Sequence, residues 1–353
     1  MSGFIQLKKF QEINLNDPFF DSLKADYPGF EVWFVKKASE QAYVYENDQG
    51  FLEAFLYLKK EEGPVTDIVP PLDSKTRVKI GTMKINPHGT RLGERFIKKA
   101  FDYAVSHGLD ELYVTVFPKH AALVNLFKKY GFLEHGKKGI PGKEELVLKK
   151  SFSQLTGHIV MDYPMVNAKG LSKYLLSIYP DFHTRLFPDS ILKTESFNVI
   201  EDVSHTNSIH KVYICKMNGV AMLKQGDTLV IYRTSDIPGR ARYRSVATSI
   251  CVVEEVKSKR EFANVQAYLK YCSTYSVFSE AELLQFYSQF NNLYVIKMTY
   301  NVALRKRLTR DRLITEIGLE ENTYWGFLPL TDTQFELIQQ KGDVYEGLVI
   351  NKA

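Results

Sequence analysis

The sequence predicts a two-domain chain: an α/β domain with a mixed sheet and flanking helices over 1–152, and a strand-rich α+β domain over 197–353. A connecting segment is expected at 153–196. Three observations carry this reading. The chain has 353 residues, more than one ordinary hydrophobic core accommodates. Residues 78–117 read as strand, turn, amphipathic helix and strand, a unit that requires a parallel pair and a right-handed crossover. From Phe197 onwards, β-branched and aromatic runs bounded by turn residues return.

The elements of the first half follow in order. Phe4-Ile-Gln-Leu reads as a short strand. Asn16–Ala38 is helical, with Asp17-Pro18 as a start signal and Tyr27-Pro28-Gly29 dividing it into two helices. Gln41–Glu46 and Gly50–Lys59 are strands around the turn Asn47-Asp48-Gln49-Gly50. Pro64–Ser74 is a loop and Val78–Ile85 a strand. Phe96, Ile97, Ala100, Phe101, Ala104 and Val105 recur at helical spacing, so a helix runs from about Glu94 to His107, with Gly108 as its C-cap. Glu111–Phe117 is a strand, Ala121–Tyr130 a helix closed by Gly131, and Glu144–Leu148 a last strand.

In the second half, Tyr163-Pro164, Tyr179-Pro180 and Leu186-Phe187-Pro188 interrupt short aromatic pieces. Val212–Met217, Thr228–Ser235, Arg244–Val256 and Asn292–Thr299 read as strands. Asn264–Cys272, Glu280–Phe290 and Asp332–Gln340 read as helices, and Arg305–Glu316 as basic and partly helical.

Composition excludes several classes. Hydrophobic residues make up 44% and charged residues 25%, the balance of a globular protein and not of a disordered one. Cys215, Cys251 and Cys272 are odd in number and lack CxxC spacing, which argues against a disulfide framework and a zinc site. No apolar run reaches the length of a membrane span, and Met1-Ser-Gly-Phe-Ile-Gln-Leu-Lys-Lys lacks the apolar core of a signal peptide. A cytoplasmic protein with no membrane partner and no metal is expected. The net charge of +5 permits nucleic-acid binding without demanding it. Three arginines fall in residues 1–150 and ten beyond, so phosphate contacts are expected in the second half.

The turn His88-Gly-Thr-Arg-Leu-Gly93 is the most informative stretch. A helix N-terminus carries unpaired N–H groups and a partial positive charge. A glycine-containing turn leading into it can wrap those groups around a pyrophosphate, and Arg91 adds a fixed charge. Read on its own, the same turn also serves as a plain helix start.

Together with Phe127-Lys-Lys-Tyr-Gly131-Phe132, this turn resembles the GNAT family of N-acetyltransferases. That family carries Arg/Gln-x-x-Gly-x-Gly/Ala before one helix and Tyr/Phe-x-x-x-Gly-Phe at the end of a later one. The resemblance covers residues 1 to about 150. It implies acetyl-coenzyme A as cofactor. The pantetheine would lie along Met83, Lys84 and Ile85, the pyrophosphate on His88, Gly89, Thr90, Arg91, Leu92, Gly93 and Glu94, and Phe127 would stand beside the cofactor. Three departures matter. His88 replaces the first Arg/Gln. Arg91 replaces a glycine, and a side chain resists positive φ, so the loop is expected to curl differently. Phe127 replaces a tyrosine that often protonates the departing thiolate. Tyr130 is the expected substitute, with Tyr113, or no side chain at all, as the alternatives. His120, where the family often has an asparagine, is the candidate base. Glu61 and Glu62 read as solvated hairpin charges.

The second half resembles the PUA-like superfamily, including its EVE and ASCH members. The resemblance rests on Lys224-Gln-Gly-Asp227, Ile231-Tyr-Arg-Thr234 and Ala247–Val256, and covers about 197–345. It implies a PUA-like β-barrel with helices that binds RNA or a modified nucleotide. Tyr232, Arg233, Thr234, Asn207 and Trp325 would line a base pocket, and Arg242 and Arg244 would contact phosphates; read on their own, Tyr232 and Trp325 equally fit a core and the charge runs a solvated face. Three functions follow. One is an acetyltransferase whose second domain recruits an RNA or nucleotide substrate. Another acts on a protein or small amine, with a structural second domain. The third is a non-catalytic toxin–antitoxin or regulatory RNA-binding protein.

Overall fold

The structure is a computed structural model that describes residues 5–86, 91–187, 208–345 and 347–350. It separates into two units, Met1–Ser151 and Phe152–Ala353.

The first unit runs β1 (Ile5–Lys9), α1 (Asp21–Asp26), α2 (Phe30–Lys36), β2 (Gln41–Glu46), β3 (Leu52–Glu61), β4 (Arg77–Ile85), α3 (Leu92–Ser106), β5 (Glu111–Val116), α4 (Ala121–Lys129), β6 (Leu133–Lys138) and β7 (Glu145–Ser151). Its sheet has the order β1-β2-β3-β4-β5-β7-β6, and only β4–β5 is parallel. This is the expected mixed sheet with flanking helices. The Asp17 carboxylate accepts from Phe19 N and Leu52 N, fixing the approach to α1 against β3. Gly29, at φ 89°, then separates α1 from α2.

Two layers cover the sheet. Lys84 reaches the Phe19 carbonyl and Ser22 beside α1. Its neighbour Ile85 lies next to Gly93 of α3. Successive strand residues point to opposite faces, so α1–α2 and α3 lie on opposite sides. Under α1–α2, Phe10, Phe20, Phe34 and Phe55 pack largely edge-to-face. Each such pair contributes about 0.5–1.5 kcal/mol beyond its area. On the α3 side, Phe96, Ile97, Ala100, Phe101 and Ala104 are buried as the helical spacing predicts.

The second unit runs α5 (Ile159–Asp162), β8 (Val166–Asn167), β9 (Lys173–Ile178), α6 (Pro180–Leu186), β10 (His210–Cys215), β11 (Thr228–Arg233), α7 (Ala241–Arg244), β12 (Val246–Ser258), α8 (Val265–Cys272), α9 (Glu280–Gln289), β13 (Tyr294–Thr309), α10 (Arg310–Thr315), β14 (Phe327–Leu330), α11 (Asp332–Lys341) and β15 (Val349–Ile350). Six strands pair in the order β10-β13-β12-β11-β9-β14, and β8 pairs with β15. Bulges break the β12–β13 register at three places, bending these long strands. No pairing among the described residues closes the six strands into a ring. The segment expected to connect two domains instead supplies β9, which pairs with β11 and β14 and is buried at five of its six residues.

All three cysteines are free and buried, and burial pushes the Cys215 and Cys272 thiols up to about 12. Among the described residues no helix is long and apolar enough to cross a membrane.

His183 on α6 is fully buried, and its Nε2 lies 2.8 Å from Thr248 Oγ1. Burial, aided by the charges of Arg233 and Arg307, lowers its pKa to about 3. The unfolded chain binds a proton there from about pH 6.5 downwards while the folded chain does not. Stability of the second unit is therefore expected to fall with pH by up to about 1.4 kcal/mol per unit from about pH 6.5 towards the folded value. Urea titrations from pH 7 to 4 check this. His183→Leu should flatten the slope, and an equal slope in that variant would assign the effect to other groups.

Candidate active site

The site begins with how β4 and β5 part. Their parallel pairing covers only Val78↔Leu112, Lys79↔Tyr113 and Ile80↔Val114. β4 continues to Ile85 and β5 to Val116, still held by β3 and β7 on their outer edges. The β3–β4 register slips at this point: Ile80 faces Leu58 and Thr82 faces Tyr57, leaving Gly81 as a bulge. A Cβ at Gly81 would lie 2.6 Å from Tyr57 Cδ1. Glycine thus admits the bulge, and the bulge turns β4 away from β5. Between the inner edges a wedge opens towards the carboxyl ends of both strands, where open α/β sheets bind ligands.

The closed end is clamped. Arg77, 1% exposed, donates from Nε to Glu111 Oε1 at 2.7 Å, from Nη1 to the Gly63 carbonyl and from Nη2 to the Asp73 carbonyl. One guanidinium thereby joins the starts of β4 and β5 to the loop beside them.

At the open end stands the N-terminus of α3. Its N-cap, Arg91, makes no side-chain cap bond. Arg91 adopts the left-handed conformation at φ 58°, so the expectation that arginine would avoid it is corrected. Such a residue costs roughly 1–2 kcal/mol, and the neighbouring packing has to sustain it. Gly93 is needed for close approach, since a Cβ would lie 2.7 Å from Leu126 Cδ2 on α4. Leu92 and Glu94 are buried, so their main-chain N–H groups are what they can present to a ligand. Met83 is buried, and Ile85 half-buried. Burial lowers the Lys84 pKa, partly offset by Asp21, Asp26 and Asp17. His88, Gly89 and Thr90 lie outside the described residues.

Past the wedge, Phe127 is fully buried against Phe132, their ring centroids 4.9 Å apart. Tyr130 is fully buried as well, with the Lys129 ammonium 5.0 Å from its ring centroid. Tyr113 sits where β4 and β5 are still paired, and its hydroxyl donates to Glu61 Oε2 at 2.5 Å. It is thus committed below the opening. Glu61, read as a solvated charge, is the partner of that buried hydroxyl.

His120, the N-cap of α4, is 38% exposed in its side chain, and its Nε2 lies 3.1 Å from Asp26 Oδ2. Lys119 donates to the other Asp26 oxygen. Lys119, more than the opposing burial, holds the Asp26 carboxyl below its usual range, and His120 adds to this. Next to them Tyr27 donates to Glu145 Oε1 at 2.9 Å and packs 5.2 Å from Phe117. Burial, then the Glu145 charge, raises the Tyr27 pKa, so its hydroxyl stays protonated. Asp26, Tyr27 and Glu145 are missing from the sequence-derived candidates.

In the second unit, the residues expected to form an open base pocket are largely enclosed. Tyr232 and Arg233 are 2% and 3% exposed, and Trp325 is 7% exposed. Tyr232 packs on Trp325, over whose ring the Arg310 guanidinium lies at 4.5 Å. Thr234 is half-buried. Arg242 pairs with Asp311 and Glu321, and Arg244 with Asp236, so carboxylates already occupy the arginines expected to meet phosphate. Asn207 lies outside the described residues.

The first unit is thus a mixed sheet with flanking helices whose central parallel pair opens into a wedge beside a helix N-terminus with no side-chain cap. No family model and no curated protein matches the sequence. Several solved structures are similar to parts of the chain. A putative phosphinothricin N-acetyltransferase is 19% identical, with a TM-score of 0.34, covering 43% of this chain and 100% of its own. A GNAT-family acetyltransferase from Streptococcus pneumoniae is 15% identical, with a TM-score of 0.32, covering 42% and 98%. An ASCH protein from Zymomonas mobilis is 10% identical, with a TM-score of 0.34, covering 48% and 94%.

Proposed function

We propose that the first unit binds acetyl-coenzyme A in the β4–β5 wedge and transfers its acetyl group to an amine. The observation that carries this reading is the parting of β4 from β5 after Ile80↔Val114 beside the N-terminus of α3. Among the described residues the inner edge of β4 from Thr82 to Ile85 has no strand partner, and it suits the amides of an extended pantetheine chain. The α3 N-terminus with Arg91 suits the pyrophosphate. When bound, the cofactor supplies an activated acetyl thioester. The chain's own residues hold it, orient the incoming amine and take up the amine's proton.

The second unit, which contains ten of the thirteen arginines, is proposed to recruit an RNA or nucleotide substrate, whose phosphates would displace Asp311, Glu321 and Asp236 from Arg242 and Arg244. The test of the first reading is calorimetry and thermal melting with acetyl-coenzyme A. At a hundredfold excess over Kd, a stabilisation of about 2.7 kcal/mol is expected. No shift and no heat at millimolar concentration would refute it. For the second, RNA should bind the whole chain at low salt and be released as salt rises. Salt-independent binding would count against phosphate contacts.

A further inference from the structure

α1 bridges the two strands that form the wedge. At one end, Ser22 accepts from Lys84 of β4 at 2.5 Å. At the other, Asp26 holds Lys119 and His120, which follow β5. The helix therefore crosses the open end of the wedge, and the Asp26–His120 pair stands beyond the carboxyl end of β5. Tyr27 and its partner Glu145 flank the pair from the α1–α2 turn and from β7. Lys119 flanks it from its own loop.

The chemistry of the pair is set by Asp26. As an ionised carboxylate it can only accept hydrogen bonds, so the Nε2 of His120 must carry the proton that joins them. The neutral ring then has its basic lone pair on Nδ1. A carboxylate that fixes one tautomer and stabilises the imidazolium is the arrangement by which a histidine serves as a proton acceptor.

We propose that His120 is the base that deprotonates the acceptor amine, through Nδ1, and that Asp26 is its positioning residue. The inference rests on the acyltransferase reading. The acceptor arrives as an ammonium, and Nδ1 takes one of its protons. The neutral nitrogen then forms the new C–N bond as the C–S bond breaks. Its second proton leaves with the sulfur as thiol, and His120 returns the first to solvent.

The test combines 15N NMR of the His120 ring with thiol release from acetyl-coenzyme A, using a simple primary amine such as ethylamine as the acceptor and subtracting the rate with water alone. In the wild-type chain the ring is expected as the Nε2–H tautomer, and in Asp26→Ala as a mixture. His120→Ala is expected to lose about 10²-fold or more in kcat, with KM for acetyl-coenzyme A changed less than twofold. Asp26→Ala should lose roughly tenfold, again in kcat. Asp26→Asn, which keeps the size of the side chain, guards against a folding defect and should fall between Asp26→Ala and wild type. A wild-type ring in the Nδ1–H form, or a His120→Ala chain that turns over at the wild-type rate, overturns the assignment. If acetyl-coenzyme A fails to bind the wild-type chain in calorimetry, the acyltransferase reading itself falls. Binding with unchanged turnover in the variants removes only His120 and Asp26.

Discussion

Arg77→Met is expected to lower the melting temperature of the first unit by roughly 10–15 °C. Arg77 and Glu111 are both buried, and the guanidinium also satisfies two carbonyls. Removing one partner of a buried pair costs about 3–5 kcal/mol, and here Glu111 is left to the more distant ammonium groups of Lys149 and Lys75, at 3.7 and 4.0 Å. At about 150 residues, each kcal/mol shifts the midpoint by roughly 2–4 °C. The double substitution Arg77→Met with Glu111→Leu should recover part of the loss, since it removes the stranded carboxylate as well. Calorimetric melting of the three variants checks this. A loss below about 1 kcal/mol for Arg77→Met would show the pair to be dispensable, as exposed pairs often are. The clamp also bears on the wedge. β4 and β5 can separate at one end only if they are held at the other. The variant should therefore also weaken acetyl-coenzyme A binding at temperatures where it is still folded.

Arg91→Glu is expected to reduce affinity for acetyl-coenzyme A about a hundredfold while leaving stability unchanged or slightly raised. The two effects have opposite signs for one reason: an acid at a helix N-terminus favours the helix dipole but repels a phosphate placed there. A hundredfold loss is about 2.7 kcal/mol, of the size expected for reversing one charge beside a pyrophosphate. Arg91→Gly separates charge from backbone. It relieves the cost of φ 58° and should raise stability by about 1 kcal/mol while losing less affinity than the charge reversal. Isothermal titration and urea unfolding give both quantities. Undiminished affinity in Arg91→Glu would place the pyrophosphate elsewhere.

The fold was most legible where local pattern and long-range packing agree. The stripe on α3, the glycine that ends it and the apolar run of β5 announce a strand-helix-strand unit, and the structure contains one. β6 escaped because Leu133-Glu-His-Gly-Lys-Lys is an edge strand with no fully buried residue, so alternation of burial leaves no mark on it. β9 was hidden by the prolines around it, although Lys173–Ile178 is nearly all buried. β13 runs on to Thr309 through Arg305-Lys-Arg307, where the exposed charges of Arg305 and Lys306 imitate a basic helix. The site divides in the same way. The wedge and helix start are consecutive in sequence and could be anticipated. Asp26 with His120 and Tyr27 with Glu145 are 94 and 118 residues apart, and no local pattern foretells such pairs.

The three cysteines have a practical consequence. Each is buried, and burial holds each as a protonated thiol, the form that does not attack disulfides or maleimides. The folded chain should thus be nearly silent towards Ellman's reagent at neutral pH. Free coenzyme A can then be followed continuously in its presence against a flat background. For the same reason a single cysteine introduced at an exposed position such as Ser106 would be the one residue a dye finds.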